Sequence, residues 1–191
     1  MNEEEAFRHR ERWLEEEYFR KKQEELIERL HRQKAQEQQM RALGAELRIS
    51  DPLVLEALID LGYTSDVARL AYIAPMLQVA WSDGGVSAEE RELIIARVRV
   101  AGIEEGSLAD RQLQAWLAEP PSERFLKVTL TALRAIFLTL PPAEGERFRA
   151  RLIDNCTAVA EASRGPLGLG RRVSGAEHDA LDRIAAELAP G

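Results

Sequence analysis

Three carboxylates stand where either a cation or a helix terminus would use them. Asp83 and Glu90 flank the break in Ala80-Trp81-Ser82-Asp83-Gly84-Gly85-Val86-Ser87-Ala88-Glu89-Glu90, and Glu177 sits in the later Val173-Ser174-Gly175-Ala176-Glu177. A hard divalent cation such as Ca²⁺ or Mg²⁺ takes about six to eight oxygen ligands, so these three, with Glu89 as the nearest spare, supply only part of a shell. The same residues have a plainer use. Ser87 stands three residues before Glu90, and Ser174 three before Glu177, the spacing at which a serine hydroxyl and an acidic side chain satisfy each other's backbone N–H at a helix start. Asp83 reads most simply as a side-chain cap on the Asp-Gly turn. Capping therefore outweighs metal binding as an expectation.

No other set of side chains converges on chemistry. His9 and His31 lie in a charged segment and His178 in the first turn of a helix, so no nucleophilic triad or histidine-rich metal set is spelled out. The single cysteine, Cys156, excludes an internal disulfide and sits among Ile153, Val159 and Ala160, which marks it as a small buried hydrophobe. The run Arg164-Gly165-Pro166-Leu167-Gly168-Leu169-Gly170-Arg171-Arg172 superficially resembles a phosphate loop but has neither the dinucleotide nor the Walker spacing. It reads as a helix connection. An enzyme is not expected.

The elements that position these residues are helical throughout. Ser50-Asp51-Pro52 opens a helix with Asp51 as cap and Pro52 at its first position, carrying Leu53, Leu55, Leu58, Ile59 and Leu61 until Gly62. A further helix begins near Thr64 or Ser65, with a break expected near Ala74 because Pro75 removes a donor. After the joint, Leu93, Ile94, Val98 and Val100 are expected to face inward up to Gly102, and Ser107 opens a shorter helix with Leu113, Trp116 and Leu117 that ends before Pro120-Pro121. The spacing predicts helices over about 122–140 and 142–162, the second burying Phe148, Leu152, Ile153, Cys156 and Val159. The expected architecture is all-α: a compact helical domain over 52–191, preceded by a long charged helix over 1–47.

That first helix is dense in Glu, Arg, Lys and Gln. Glu4/Arg8, Glu16/Arg20, Glu17/Lys21, Glu25/Arg29 and Glu28/Arg32 are all Glu-first pairs four apart, each worth ~0.2–0.5 kcal/mol. Phe7, Leu14 and Tyr18 share one face and Phe19, Leu26 and Leu30 another, so a simple long coiled coil is disfavoured. The segment is expected to project from the domain or pack on it only in part. Trp13, Tyr18 and Phe19 are costly to leave in water and are candidate partner-binding residues.

The chain's 191 residues are 45% hydrophobic and 31% charged with a formal net charge of −7, the balance of a soluble protein and a poor one for a nucleic-acid binder. No segment approaches the ~20 apolar residues of a membrane span, and the acidic start Met1-Asn2-Glu3-Glu4-Glu5 is unlike a secretory signal. The expected compartment is the cytoplasm.

The joint Ala-Trp-Ser-Asp-Gly-Gly-Val-Ser-x-x-Glu, followed near the C-terminus by Val-Ser-x-x-Glu-x-x-x-Leu-Asp-x-Ile-Ala-x-x-Leu, resembles the TerB-like family, the tellurite-resistance protein B type. The resemblance covers about residues 52–190. It implies an all-helical fold with a pseudo-two-fold repeat, in bacterial proteins tied to metal and chemical stress and, in some members, to membrane-associated complexes or J-domain co-chaperones. It also implies a metal site in the acidic residues of the joints, for which Asp83 and Glu90 match the first joint and Glu177 the second; Gly170 stands where the second Asp would be. The expected function is a non-enzymatic interaction or scaffold module linked to such stress, acting on a protein partner or by self-association, with peripheral attachment to a membrane complex as a further implication. The alternatives are a divalent-metal sensor built on the Asp83/Glu90 joint and a regulator that inserts its N-terminal helix into a larger enzyme.

Overall fold

The computed structural model describes residues 3–162 and 173–189. Among them there is no strand, and eight α-helices and one 3₁₀ segment account for the regular structure. The glycine- and arginine-rich run 164–172 lies outside the described residues. The chain divides into two compact units, Met1–Arg41 and Ala42–Gly191.

Helix α1, Glu3–Leu47, is a single element of 45 residues. From Glu16 to Glu37 it is a solvated helix laced with ion pairs such as Lys21–Glu17 at 3.3 Å and Lys22–Glu25 at 3.9 Å. Its last turns belong to the second unit, where Leu43 and Leu47 are buried with Ile49. The second unit thus begins at Ala42, ten residues before the start expected at 52. Gly44 lies inside this helix without interrupting it. The Ile49 N–H donates back to the Gly44 carbonyl at 3.0 Å with Arg48 left-handed at φ 57°, the closing pattern of a helix C-terminus. A Cβ on Gly44 would lie 2.7 Å from the Ile49 carbonyl oxygen.

Helix α2, Pro52–Asp60, opens as expected on Asp51, whose carboxylate accepts from the Leu53 N–H at 2.9 Å. The next stretch departs from expectation. Residues 64–73 form turns and a 3₁₀ segment, Ala68–Tyr72, and Pro75 lies in the first turn of α3, Ala74–Ala80, where its missing donor costs nothing. The break expected near Ala74 is present, at Ile73 between the 3₁₀ segment and α3, and Pro75 belongs to the helix that starts after it. Ala74, Pro75, Met76, Leu77, Val79 and Ala80 are all buried, so α3 is apolar on nearly every side and forms an axis of the core.

The remaining helices are α4 (Ala88–Val100), α5 (Leu108–Ala118), α6 (Glu123–Thr139), α7 (Pro142–Ala162) and α8 (Gly175–Glu187). α7 packs against α3, α4, α6 and α8, and α2 packs against α6. Two inward expectations fail for geometric reasons. The buried row of α4 is Glu90, Ile94 and Val98, four apart, so Val100 falls on the opposite side and is 86% exposed. Phe148 is likewise exposed, whereas Leu152, Cys156, Val159 and Ala160 carry the buried face of α7. No helix among the described residues is long and apolar enough to cross a membrane.

Candidate functional site

The joint is built from backbone turns and two reciprocal caps. After α3, the Ser82 N–H and hydroxyl both donate to the Val79 carbonyl, the latter at 2.6 Å, and Gly84, at φ 98°, donates its N–H to Trp81 at 3.1 Å. Asp83 is exposed on this turn and makes no hydrogen bond to a described residue, so the side-chain cap expected of it is absent; the Ser82 hydroxyl takes a carbonyl of the turn instead. At the restart, Ser87 Oγ accepts from the Glu90 N–H at 3.2 Å, while the Glu90 carboxylate accepts from the Ser87 N–H at 2.7 Å. The same box recurs at α8, where Ser174 Oγ accepts from the Glu177 N–H at 3.1 Å and the Glu177 carboxylate accepts from the Ser174 N–H. Glu90 and Glu177 are each only 2% exposed. They are interior residues whose charge is met by donors at a helix N-terminus.

The structure does not join the three carboxylates into a ligand set. Among the described residues no group of three or more His, Cys, Asp or Glu side chains is placed to hold a metal ion. Asp83 is exposed, and Glu90 and Glu177 each close their own box. Ser87→Ala and Ser174→Ala are each expected to cost ~1 kcal/mol in chemical denaturation. Added Ca²⁺, Mg²⁺ or Zn²⁺ is expected to leave the melting temperature unmoved in the wild type and in Asp83→Asn alike. A bound ion at about a hundred times its Kd would instead raise it by roughly 5–10 °C, and Asp83→Asn would erase the rise.

The joint also grips a neighbouring helix end. The indole Nε1–H of Trp81 donates to the Trp116 carbonyl at 2.9 Å, and Arg91 donates through Nη2 to the Leu117 carbonyl at 2.6 Å. Both carbonyls belong to the last turn of α5, which has no intrahelical donors left. The two sides of the joint, α3's end and α4's start, are thus tied to the same helix terminus.

The opening of α5 is a third variant of the box. Ser107 Oγ accepts from the Asp110 N–H at 3.1 Å, but the Asp110 carboxylate accepts from the Gly106 N–H at 2.9 Å and from Arg99 Nη2 at 2.7 Å. The Gly106 N–H first, and then the Arg99 guanidinium, hold the Asp110 carboxyl below the usual carboxylate range. A depressed carboxyl pKa stabilises the fold above the unfolded value of about 4, and that contribution fades as pH falls through the lower folded value. The stability difference between wild type and Asp110→Asn is therefore expected to be constant above about pH 5 and to shrink below about pH 4. Urea midpoints across this range measure it, and a difference that grows on acidification would refute the assignment.

The other residues singled out from sequence are dispersed. Trp13, Tyr18 and Phe19 are 57%, 59% and 64% exposed, with Tyr18 and Phe19 in edge contact and the Lys22 ammonium 5.9 Å from the Tyr18 ring. His178 and Asp182, 3.7 Å apart, are both on the surface. Cys156 is fully buried, and burial pushes its thiol up to about 12.

A feature missed in the sequence lies beside the joint. A groove of about 870 Å³ runs among α3, the Pro120–Pro121 turn, α6 and α8. Leu77, Trp81, Leu126, Leu130 and Ala186 give it an apolar lining, and Lys127, Arg134 and Arg183 stand around it with Glu123 and Glu187. None of the three cations pairs with a described carboxylate; Arg183 donates only to the Asp179 carbonyl, at 3.2 Å. Gln78 also lines the groove, and its buried Oε1 accepts no hydrogen bond from a described residue, an uncommon state for a buried carbonyl. Its one sequence trace is Lys127 and Arg134 seven apart beside Leu126 and Leu130 on α6, a row easily taken for an ordinary solvated flank.

Fold and groove together define an all-α protein with an amphipathic cleft and, among its described residues, no group of three or more His, Cys, Asp or Glu side chains that could hold a metal ion. Compared with family models, curated proteins and solved structures, the chain matches none.

Proposed function

We propose that this chain is a non-enzymatic interaction module whose groove beside the joint docks a helical segment of a protein. The observation that carries this reading is the groove itself: an apolar lining and, among the described residues, three cations without a carboxylate partner and a Gln78 carbonyl without a donor. Such a cleft suits an amphipathic helix with acidic residues beside its apolar ones. The exposed Trp13, Tyr18 and Phe19 support α1 as a second contact, the role that would also serve a regulator of a larger enzyme. The resemblance to the TerB-like family adds a metal- or chemical-stress setting in a bacterial cytoplasm and a pseudo-two-fold relation between the helices opened by Ser87 and Ser174.

A photo-crosslinking residue at Lys127 or Arg183, compared with one at exposed Arg97 outside the groove, tests the reading in cells. Specific protein adducts are expected at the first two positions and not at the third. Equal labelling at all three would overturn the groove as the docking site.

A further inference from the structure

We infer that the groove takes the Trp13–Ile27 face of α1 from a second copy of this chain, so that the module self-associates. The inference rests on the groove being a docking site and names its occupant.

The groove asks for a helix with large apolar residues bracketing acids. Along α1, Trp13, Glu17, Glu24 and Ile27 fall at i, i+4, i+11 and i+14, which places them on one face of an α-helix. Trp13 is 57% and Ile27 53% exposed. Glu17 and Glu24 are seven residues apart, about 10.5 Å along the axis, and Lys127 and Arg134 on α6 are separated by the same interval. Arg20 lies between the two acids on the same face, and Glu123 and Glu187 are the carboxylates of the groove available to it. Glu24, and Glu17 in exchange for its 3.3 Å pairing with Lys21, therefore match Lys127 and Arg134 in sign and in spacing, at a groove whose rim carries three cations and two carboxylates. In the reciprocal form each groove holds its partner's helix, which closes the pair.

Sedimentation of the full chain over a wide concentration range tests this. The wild type is expected to dimerise. Lys127→Glu/Arg134→Glu and Glu17→Lys/Glu24→Lys change exposed or half-exposed charges, so both variants should keep the wild-type circular dichroism, and each alone is expected to weaken dimerisation roughly ten-fold or more. Mixed together they should associate again, because the acidic helix of the first meets the basic groove of the second and the basic helix of the second meets the acidic groove of the first. A wild type that stays monomeric at several hundred micromolar, variants that dimerise like the wild type, or a mixture that stays monomeric would each overturn the inference. Crosslinks from Lys127 to a different protein, with the chain monomeric, would defeat this inference and leave the groove reading standing; an absence of groove-specific crosslinks would defeat both.

Discussion

Phe125→Ala is expected to lower the unfolding free energy by about 3–5 kcal/mol, the range for deleting a buried phenylalanine ring. Phe125 is 6% exposed and lies between two other aromatic residues. Its ring stacks on Tyr63 at 5.3 Å with planes 12° apart, and meets Trp116 at 4.7 Å with planes 54° apart. The cluster joins the turn after α2, the end of α5 and the start of α6, so its loss opens space among segments far apart in sequence. The Tyr63 hydroxyl is 3.1 Å from Thr129 Oγ1, and burial raises its pKa, which keeps it neutral and hydrogen-bonded. Tyr63→Phe is the milder control, expected to cost about 1–2 kcal/mol because Thr129, fully buried, loses its partner. Urea denaturation measures both, with an unchanged m-value showing that stability alone has moved. A loss below about 1 kcal/mol for Phe125→Ala would mean that the cluster is not packed as described.

The second large effect reverses a general rule. Replacing glycine by alanine inside a helix usually stabilises it by about 1 kcal/mol. Gly145→Ala, in the first turns of α7, is expected instead to destabilise the protein by about 1–3 kcal/mol, the range for forcing extra volume into a packed contact. A Cβ there would lie 2.6 Å from the Phe137 carbonyl oxygen and 3.5 Å from its carbonyl carbon. Those are backbone atoms of α6, which cannot rotate away as a flexible side chain would. Gly175→Ala serves as the comparison, because nothing lies within 4 Å of a Cβ at that helical position. Opposite signs for the two substitutions in the same denaturation experiment are the expected result; a gain at Gly145 would show that α6 and α7 separate readily.

The all-helical architecture was legible because its signals are local. Asp51-Pro52, Ser87, Ser107, Ser122 and Ser174 each open a helix, and the apolar spacing of α6 and α7 fixes their length. The stretch 64–80 was harder because so many of its residues are buried that no period survives, and Pro75 reads equally well as a break or a beginning. Burial of Glu90 and Glu177 was invisible for a related reason: a first-turn acid looks solvated until the helix start itself faces the core. The recurrence of a serine and an acid three apart also proved less specific than two copies suggested, since Ser107 and Asp110 form a third version with a different donor. The groove depends on α3, α6 and α8 meeting, a tertiary fact that no stretch of sequence spells out.

The lone thiol at Cys156 gives the molecule a built-in stopwatch. A thiolate is the species that alkylating reagents attack, and a fully buried thiol whose pKa is pushed up to about 12 presents almost none of it. Because α7 packs against α3, α4, α6 and α8, the reagent reaches sulfur only after those contacts part. The rate of alkylation in native buffer then follows the frequency with which the core opens, and at high reagent concentration it levels off at the opening rate itself.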